Sequence, residues 1–305
     1  MSALDRIVVV VGPTASGKSD LAIAVAQRLG SAEIVNADSM QLYRGMDVGT
    51  AKLPEADRGG VRHHLLDVLD VTEGASVAAF QRAARTAIED CRARGVTPIL
   101  VGGSSLYVRA VVDRLDFPGT DPVVRARWAA ELETVGPEAL HERLAAADPA
   151  AAARILPSNG RRIVRALEVI ELTGEAFTAE LPPHESVYDD VVLLGLEVPR
   201  DVLDDRITRR VDAMFAAGLV DEVRALADQG LVGSPTAERA LGYAQVLTLL
   251  RGECTEREAK DATVAATRKF ARRQDRLFHQ DPRVQWLAHD DPALVDAAVG
   301  VVTRP

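Results

Sequence analysis

The sequence predicts an α/β fold: a parallel sheet flanked by helices, with a helical insertion domain. Three observations predict it. The apolar run Ile7 to Val11 ends in Gly12-Pro13-Thr14-Ala15-Ser16-Gly17-Lys18-Ser19, and Leu21, Ala24, Val25 and Leu29 follow at helical spacing. This is the strand, glycine loop and helix start of a phosphate-binding P-loop, so the sheet is P-loop NTPase-like. Further short apolar runs (Ala32 to Ala37, Pro98 to Val101, Val191 to Leu196) alternate with amphipathic helical patterns, as parallel sheets require. Between Pro118-Gly119-Thr120-Asp121-Pro122 and residue 190 only helical patterns occur, so 119–190 reads as an insertion and 1–118 with 191–305 as the core.

Composition narrows the function classes. A chain of 305 residues with 47% hydrophobic and 27% charged residues can bury a sizeable core. No apolar run reaches membrane-spanning length and the start lacks a signal-type segment, so a cytoplasmic protein without a membrane partner is expected. Two cysteines, Cys91 and Cys254, make neither a disulfide framework nor a zinc cluster. The net charge of −9 argues against general nucleic-acid affinity. Yet Arg268, Lys269, Arg272, Arg273 and Arg276 cluster against Asp275 alone: a local polyanion site or a solvated helix face.

Taken in order, the loop comes first. Gly12 and Gly17 let the backbone turn and approach an anion; Pro13, Thr14, Ala15 and Ser16 offer its rim; Lys18 adds charge and the Ser19 hydroxyl is placed to hold Mg²⁺. The second strand runs into Asp38-Ser39-Met40-Gln41. A carboxylate there faces the crevice where open α/β sheets bind ligands, so Asp38 is a candidate general base or metal-water ligand, the alternative being a turn aspartate. Residues 44–60 read as a loop, and His63-His64 lack further ligands at metal spacing, so structural or substrate-contacting roles are expected. Val77, Phe80, Ala84, Ile88 and Cys91 trace a helix on whose stripe Cys91 is a packing residue. The next strand ends in Gly102-Gly103 rather than the aspartate of a motor ATPase. That points to a small-substrate phosphotransferase architecture.

In the insertion, Val124, Trp128 and Leu132, then Leu140 and Leu144, then Ile163, Leu167 and Ile170 mark helices, and Leu181-Pro182-Pro183 closes it. Leu203, Ile207, Val211 and Met214 mark a helix presenting Arg206, Arg209 and Arg210 elsewhere on its surface. Helices over 219–228, 237–250 and 256–279 follow, then a last strand over 284–287.

The ordered series of the P-loop, Asp38-Ser39-Met40-Gln41-Leu42-Tyr43, Gly49-Thr50-Ala51-Lys52, His63-His64-Leu65, Val101-Gly102-Gly103 and Arg165-Ala166-Leu167-Glu168-Val169 closely resembles the bacterial tRNA dimethylallyltransferases. Gly218-Leu219-Val220-Asp221-Glu222-Val223, Gly242-Tyr243 and Thr267-Arg268-Lys269-Phe270-Ala271-Arg272-Arg273-Gln274 extend it over nearly the whole chain. The resemblance implies transfer of a dimethylallyl group from its diphosphate to the exocyclic N6 amine of adenosine 37, next to the anticodon, with diphosphate released. It assigns Asp38 as base, Asp38, Ser39, Met40 and Gln41 as tRNA contacts, and Lys18, Ser19 with Mg²⁺, and Arg206 to the diphosphate. Ser104, Arg125, Arg161, Arg162, Arg165, Arg239, Gly242, Tyr243, Gln245, Arg268, Arg272 and Arg273 match its tRNA-touching positions, and the partner would be the anticodon stem-loop, bound by a monomer. Ser19 and Ser104 depart mildly, standing where threonine is usual; the C-terminal zinc finger of eukaryotic relatives is absent.

General chemistry agrees. An allylic diphosphate leaves with growing negative charge, and an adenine amine, its lone pair delocalised, gains from a carboxylate that takes its proton. The rival expectation is a small-molecule P-loop kinase with ATP in the cradle.

Overall fold

The computed structural model describes residues 6–177 and 182–304; Leu181 of the expected closing segment lies outside them. Six parallel strands, β1 (Ile7–Val11), β2 (Ala32–Asn36), β3 (His63–His64), β4 (Thr97–Gly102), β5 (Val191–Glu197) and β6 (Val284–Ala288), form one sheet in the order β3-β2-β4-β1-β5-β6. The P-loop strand is central, and the strand order reverses beside it, which opens a crevice at the carboxyl ends.

Alternation along β1 divides the core. Ile7, Val9 and Val11 pack with Phe80, Ala84 and Ile88 of α2 (Val77–Ala93) and with Val108 and Val111 of α3 (Ser105–Val112). Val8 and Val10 face Leu21 and Val25 of α1 (Lys18–Leu29) and Ala298 and Val302 of the last helix, Leu294–Thr303. A strand buried on both faces has no polar side to show, which is why β1 reads as an unbroken apolar run.

The chain leaves the sheet after α3 and returns at residue 186. Two compact units result, one up to Asp113 and from Ser186 onward, the other Arg114–Glu185, so the division lies ahead of the bounds of 119 and 190 expected from sequence. The Pro118-Gly119-Thr120-Asp121 segment belongs to the helical unit because that unit binds it. Arg165 donates to the Pro118 and Gly119 carbonyls, and the buried Glu168 accepts from Thr120 Oγ1 and the Asp121 amide. The helical unit comprises α4 (Pro122–Ala147), α5 (Pro149–Arg154) and α6 (Gly160–Thr173) around Leu140, Leu144, Ile155, Ile163 and Leu167. Helix α4 is broken at Gly136, φ 80°, ahead of Pro137.

After β5 the α/β unit continues with α7 (Arg200–Ala216), α8 (Leu219–Asp228), α9 (Tyr243–Leu250) and α10 (Glu256–Phe278). They share a third core with Tyr43 and Met46. The final helix, Leu294–Thr303, is α11. The expected helix over 237–250 is a correction: a 3-10 turn at Ala237–Arg239 precedes α9, and Gly242, φ 86°, separates them. Helices α3 and α11 and the two-residue β3 carried no clear sequence pattern, the first two being apolar nearly all round and the last too short for periodicity. Among the described residues no helix is long and apolar enough to cross a membrane.

Candidate active site

The P-loop turn requires unusual backbone. Gly12 (φ 152°) and Gly17 (φ 98°) take positive φ, as does Ala15 (φ 64°), where a side chain is tolerated only because the loop is held on both sides. A Cβ on Gly12 would lie 2.9 Å from Ser16 Oγ. That hydroxyl is buried and has no hydrogen-bond partner among the described residues. Lys18 Nζ donates to the Pro13 carbonyl at 3.4 Å. Burial pushes its ammonium down to about 8; Asp38 opposes that shift and Arg210 adds to it.

Lys18, Ser19, Asn36, Asp38 and Arg210 face one cavity at the carboxyl ends of β1, β2 and β4. Thr14, Gln41 and His63 add polar groups to its wall, and Ile34, Leu53, Leu66 and Val101 give it an apolar part. Asp38 is held by its own turn: Oδ1 accepts from the Met40 amide at 2.9 Å, and the Asn36 side chain bonds both the Asp38 amide and carbonyl. The turn-aspartate and crevice-aspartate readings therefore describe one residue. The turn aims the carboxylate.

Helix α7 brings two of its three arginines to the crevice. Arg206 donates to the Ser16 carbonyl at 3.2 Å and to His289 Nδ1 at 3.0 Å, which makes that ring nitrogen the acceptor. Arg210, one turn on, donates to the Thr50 carbonyl at 3.2 Å, and burial holds its pKa below the usual value. Arg209 alone stays outside, paired with Asp205.

The family model described as IPP transferase matches residues 41–281. The chain belongs to that family. It is 62% identical to the tRNA dimethylallyltransferase of Thermobifida fusca, over 98% of this chain and 95% of that one. It is 63% identical to that of Streptomyces coelicolor, over 98% and 96%. Among solved structures, the tRNA isopentenylpyrophosphate transferase of Bacillus halodurans aligns with TM-score 0.72 at 40% identity, covering 98% of this chain and 94% of that one. A eukaryotic dimethylallyltransferase acting on tRNA aligns with TM-score 0.81 at 25% identity, covering 97% and 77%. The small-molecule kinase alternative is not favoured.

The other motif residues of this IPP transferase family member sort by exposure. Arg161 and Arg162 open α6 on its exposed side, and Arg272 and Arg273 are exposed on α10. Ser39, Met40 and Ser104 are partly exposed, and Gln41 donates to the Thr50 carbonyl at 3.1 Å. Arg125 and Arg165 both bind the buried Glu168 carboxylate, and Arg239 its local Pro235 carbonyl. Arg268 Nη2 reaches Thr208 Oγ1 at 2.8 Å and the Asp204 carbonyl, so its guanidinium is committed to α7. Tyr243 is a correction as a tRNA contact: it is fully buried, its hydroxyl on Glu222, while Gly242 N–H donates to Gln245 Oε1.

Three neighbours of the site escaped sequence reading. Gln274 accepts from the Thr14 amide at 2.9 Å and donates to the Gly103 carbonyl at 2.8 Å, tying the P-loop to the end of β4. His289 and Arg210 complete the set. A helical-wheel count places Gln274 and Arg210 on the faces of Ala271 and Ile207, the one signal that pointed inward.

The structure also brings Glu33 and Cys91 to His64, at 2.6 Å (Glu33) and 3.8 Å (Cys91) from its Nε2. Arg94 donates to both Glu33 oxygens, so a guanidinium already fills the place a cation would take. Cys91 is fully buried as expected, but its thiol faces this polar group, and burial with Glu33 alongside pushes it up to about 11.

Proposed function

We infer that this protein transfers the dimethylallyl group of dimethylallyl diphosphate to N6 of adenosine 37 of tRNA, giving N6-dimethylallyladenosine and diphosphate. The observation that carries this reading is that one cavity is lined by the phosphate-loop residues Thr14, Lys18 and Ser19, by the Asp38 carboxylate and by the apolar side chains of Ile34, Leu53, Leu66 and Val101. Gly12 to Ser19, Lys18 and Arg206 bind the diphosphate, with Arg206 seated on the Ser16 carbonyl of the loop and Arg210 on the Thr50 carbonyl. Ile34, Leu53, Leu66 and Val101 shield the five-carbon chain from water, which would otherwise compete as acceptor. As the allylic C–O bond breaks, its electrons go to the diphosphate; the N6–C bond forms and the Asp38 carboxylate takes the N6 proton.

A divalent cation suits the Ser19 hydroxyl, a hard oxygen donor that lines the cavity. We assign Mg²⁺, held by Ser19; when bound it neutralises diphosphate charge. Arg161, Arg162, Arg272 and Arg273 supply exposed positive charge for the anticodon stem-loop, and Ser39 to Gln41 and Ser104 flank the extruded base. A cytoplasmic, monomeric enzyme is the corresponding expectation.

The test is mass spectrometry of tRNA nucleosides after incubation with dimethylallyl diphosphate and Mg²⁺. Prenylated adenosine is expected, and it is lost in Lys18→Ala and Ser19→Ala. ATP-dependent phosphorylation of a small molecule without prenylated adenosine would sink the reading.

A further inference from the structure

Three segments singled out in the sequence, Gly49-Thr50-Ala51-Lys52, Asp221-Glu222 and Gly242-Tyr243, have no place in the chemistry above. They meet at one carboxylate. Glu222 Oε2 accepts from the amides of Asp47 (3.0 Å) and Val48 (2.6 Å); Oε1 accepts from the Gly49 amide (3.1 Å) and the Tyr243 hydroxyl (2.6 Å). All four partners are donors. A carboxylate satisfies all four, whereas a carboxamide would set its N–H₂ against at least one backbone amide: that of Gly49 in one orientation, those of Asp47 and Val48 in the other.

What this carboxylate holds is the 47–52 strap, of which Ala51 lines the cavity. At the near end a Cβ on Gly49 would lie 2.5 Å from the Tyr243 ring, so strap and ring are in close contact. At the far end Lys52 Nζ, almost wholly buried, binds Asp47, Asp67 and the Tyr43 carbonyl. Between them Thr50 Oγ1 is fixed to the Met46 carbonyl at 2.6 Å, and Ala51 takes φ 48° at the cavity wall. The Thr50 carbonyl is thereby turned to accept from Arg210 Nη2 at 3.2 Å and Gln41 Nε2 at 3.1 Å. Arg210 faces the same cavity as Lys18 and Asp38.

We propose that Glu222 is a positioning residue: through the 47–52 strap it fixes Arg210 at the phosphate end of the cavity. Glu222 touches no reacting atom. The inference rests on the diphosphate-binding reading of the crevice.

The experiment is calorimetric titration of inorganic pyrophosphate with Mg²⁺ into the full-length protein and its variants. Glu222→Gln should weaken pyrophosphate by about tenfold or more, the usual scale for losing a supporting shell around a ligand site. Glu222→Asp, which keeps both acceptor oxygens, should recover part of that. Tyr243→Phe, which removes one donor of four, should cost under about threefold. In an Arg210→Ala background Glu222→Gln should add less than about twofold, because the two act in series. Val223→Ala, a buried neighbour on α8, is the control for simple destabilisation: it should lower the melting temperature and leave affinity alone. Wild-type affinity in Glu222→Gln, fully multiplicative losses with Arg210→Ala, or an equal loss in Val223→Ala at matched melting temperature would each overturn the proposal. If Glu222→Gln does not fold, Glu222→Asp and Tyr243→Phe decide it: graded losses that vanish without Arg210 support it, and wild-type affinity in both refutes it. Prenyl transfer by the wild type is assayed separately. Its failure would sink the prenyl reading and leave the pyrophosphate comparison standing.

Discussion

At the residue scale, Asp38 carries the sharpest consequence. Its Oδ1 accepts from the Met40 amide, so Asp38→Asn, with its carbonyl oxygen toward that amide, keeps the turn and loses only the ability to take a proton. We expect kcat to fall by roughly 10²–10⁴-fold, the range of general acid–base catalysis, with donor affinity near wild type. Single-turnover transfer at saturating tRNA and donor measures it; a variant within a few-fold of wild type would leave the turn as Asp38's whole role. Lys18 bears on stability as well as binding. Its pKa is about 8 in the folded protein against 10.5 for an ordinary lysine side chain. Between those values the unfolded chain holds a proton that the folded one has lost, so the buried ammonium opposes folding below pH 8, and its cost fades as pH rises toward 10.5. Lys18→Met should therefore raise the melting temperature of the ligand-free protein at neutral pH while abolishing transfer. The gain should shrink through that window; a gain independent of pH would place its cause elsewhere.

At the scale of elements, α10 divides its own charges. Arg268 pins the helix to α7 through Thr208 and Asp204; Arg272 also reaches the Asp204 carboxylate, at 3.7 Å, but is exposed, as is Arg273. Neutralising Arg272 and Arg273 should lower the log–log salt slope of tRNA binding by about one unit per lost phosphate contact. Arg268→Ala should instead lower the melting temperature, with a smaller change in slope. An unchanged slope in the Arg272/Arg273 double variant would make that face a solvated one. The edge of the sheet shows a second division. Glu33 on β2 joins His64 of β3 to Arg94 beyond α2, and the Arg94 guanidinium, with smaller help from His64 and Cys91, brings its carboxyl down to about 2. A depressed carboxyl stabilises the fold above its unfolded value near 4.5 and loses that contribution as pH falls toward 2. Glu33→Gln should cost about 1–2 kcal/mol at neutral pH, the scale of a charge-assisted bond that still sees solvent. Chemical denaturation across pH would reveal convergence with wild type in acid.

At the scale of the molecule, the helical unit is an excursion from a closed framework. The Val187 amide bonds the Val112 carbonyl, and Asp113 pairs with Ser186, so the chain leaves and re-enters the α/β unit at one place. The helical unit has its own core and binds its own connecting segment through Arg165 and Glu168. Replacing residues 114–185 by a short Gly-Ser linker should preserve the α/β unit and its pyrophosphate affinity, and weaken tRNA binding. Loss of pyrophosphate binding with the fold intact would tie the cradle to the excised unit.

The sequence by itself determined the parts whose causes are local. A buried strand must be apolar along its length, and a phosphate loop needs its glycines and lysine at fixed spacing. A carboxylate at a strand end reaches the crevice by strand geometry alone, so β1, the P-loop, Asp38 and the helical insertion were legible in residue order. Tertiary structure decided whatever depends on which face of a helix is buried or on partners far apart in the chain. Arg206 and Arg210 point inward because α7 lays Ile207 and Val211 on a core shared with Tyr43 and Met46. Gln274 reaches Thr14 across 260 positions, and Arg206 reaches His289 across 83. Tyr243, part of a motif that reads as a tRNA contact, is buried because Gly242 turns the chain and Glu222 accepts its hydroxyl. Local sequence carries turn and strand preference; it does not carry the pairing of two distant polar groups, whose mutual satisfaction exists only once the intervening core has packed.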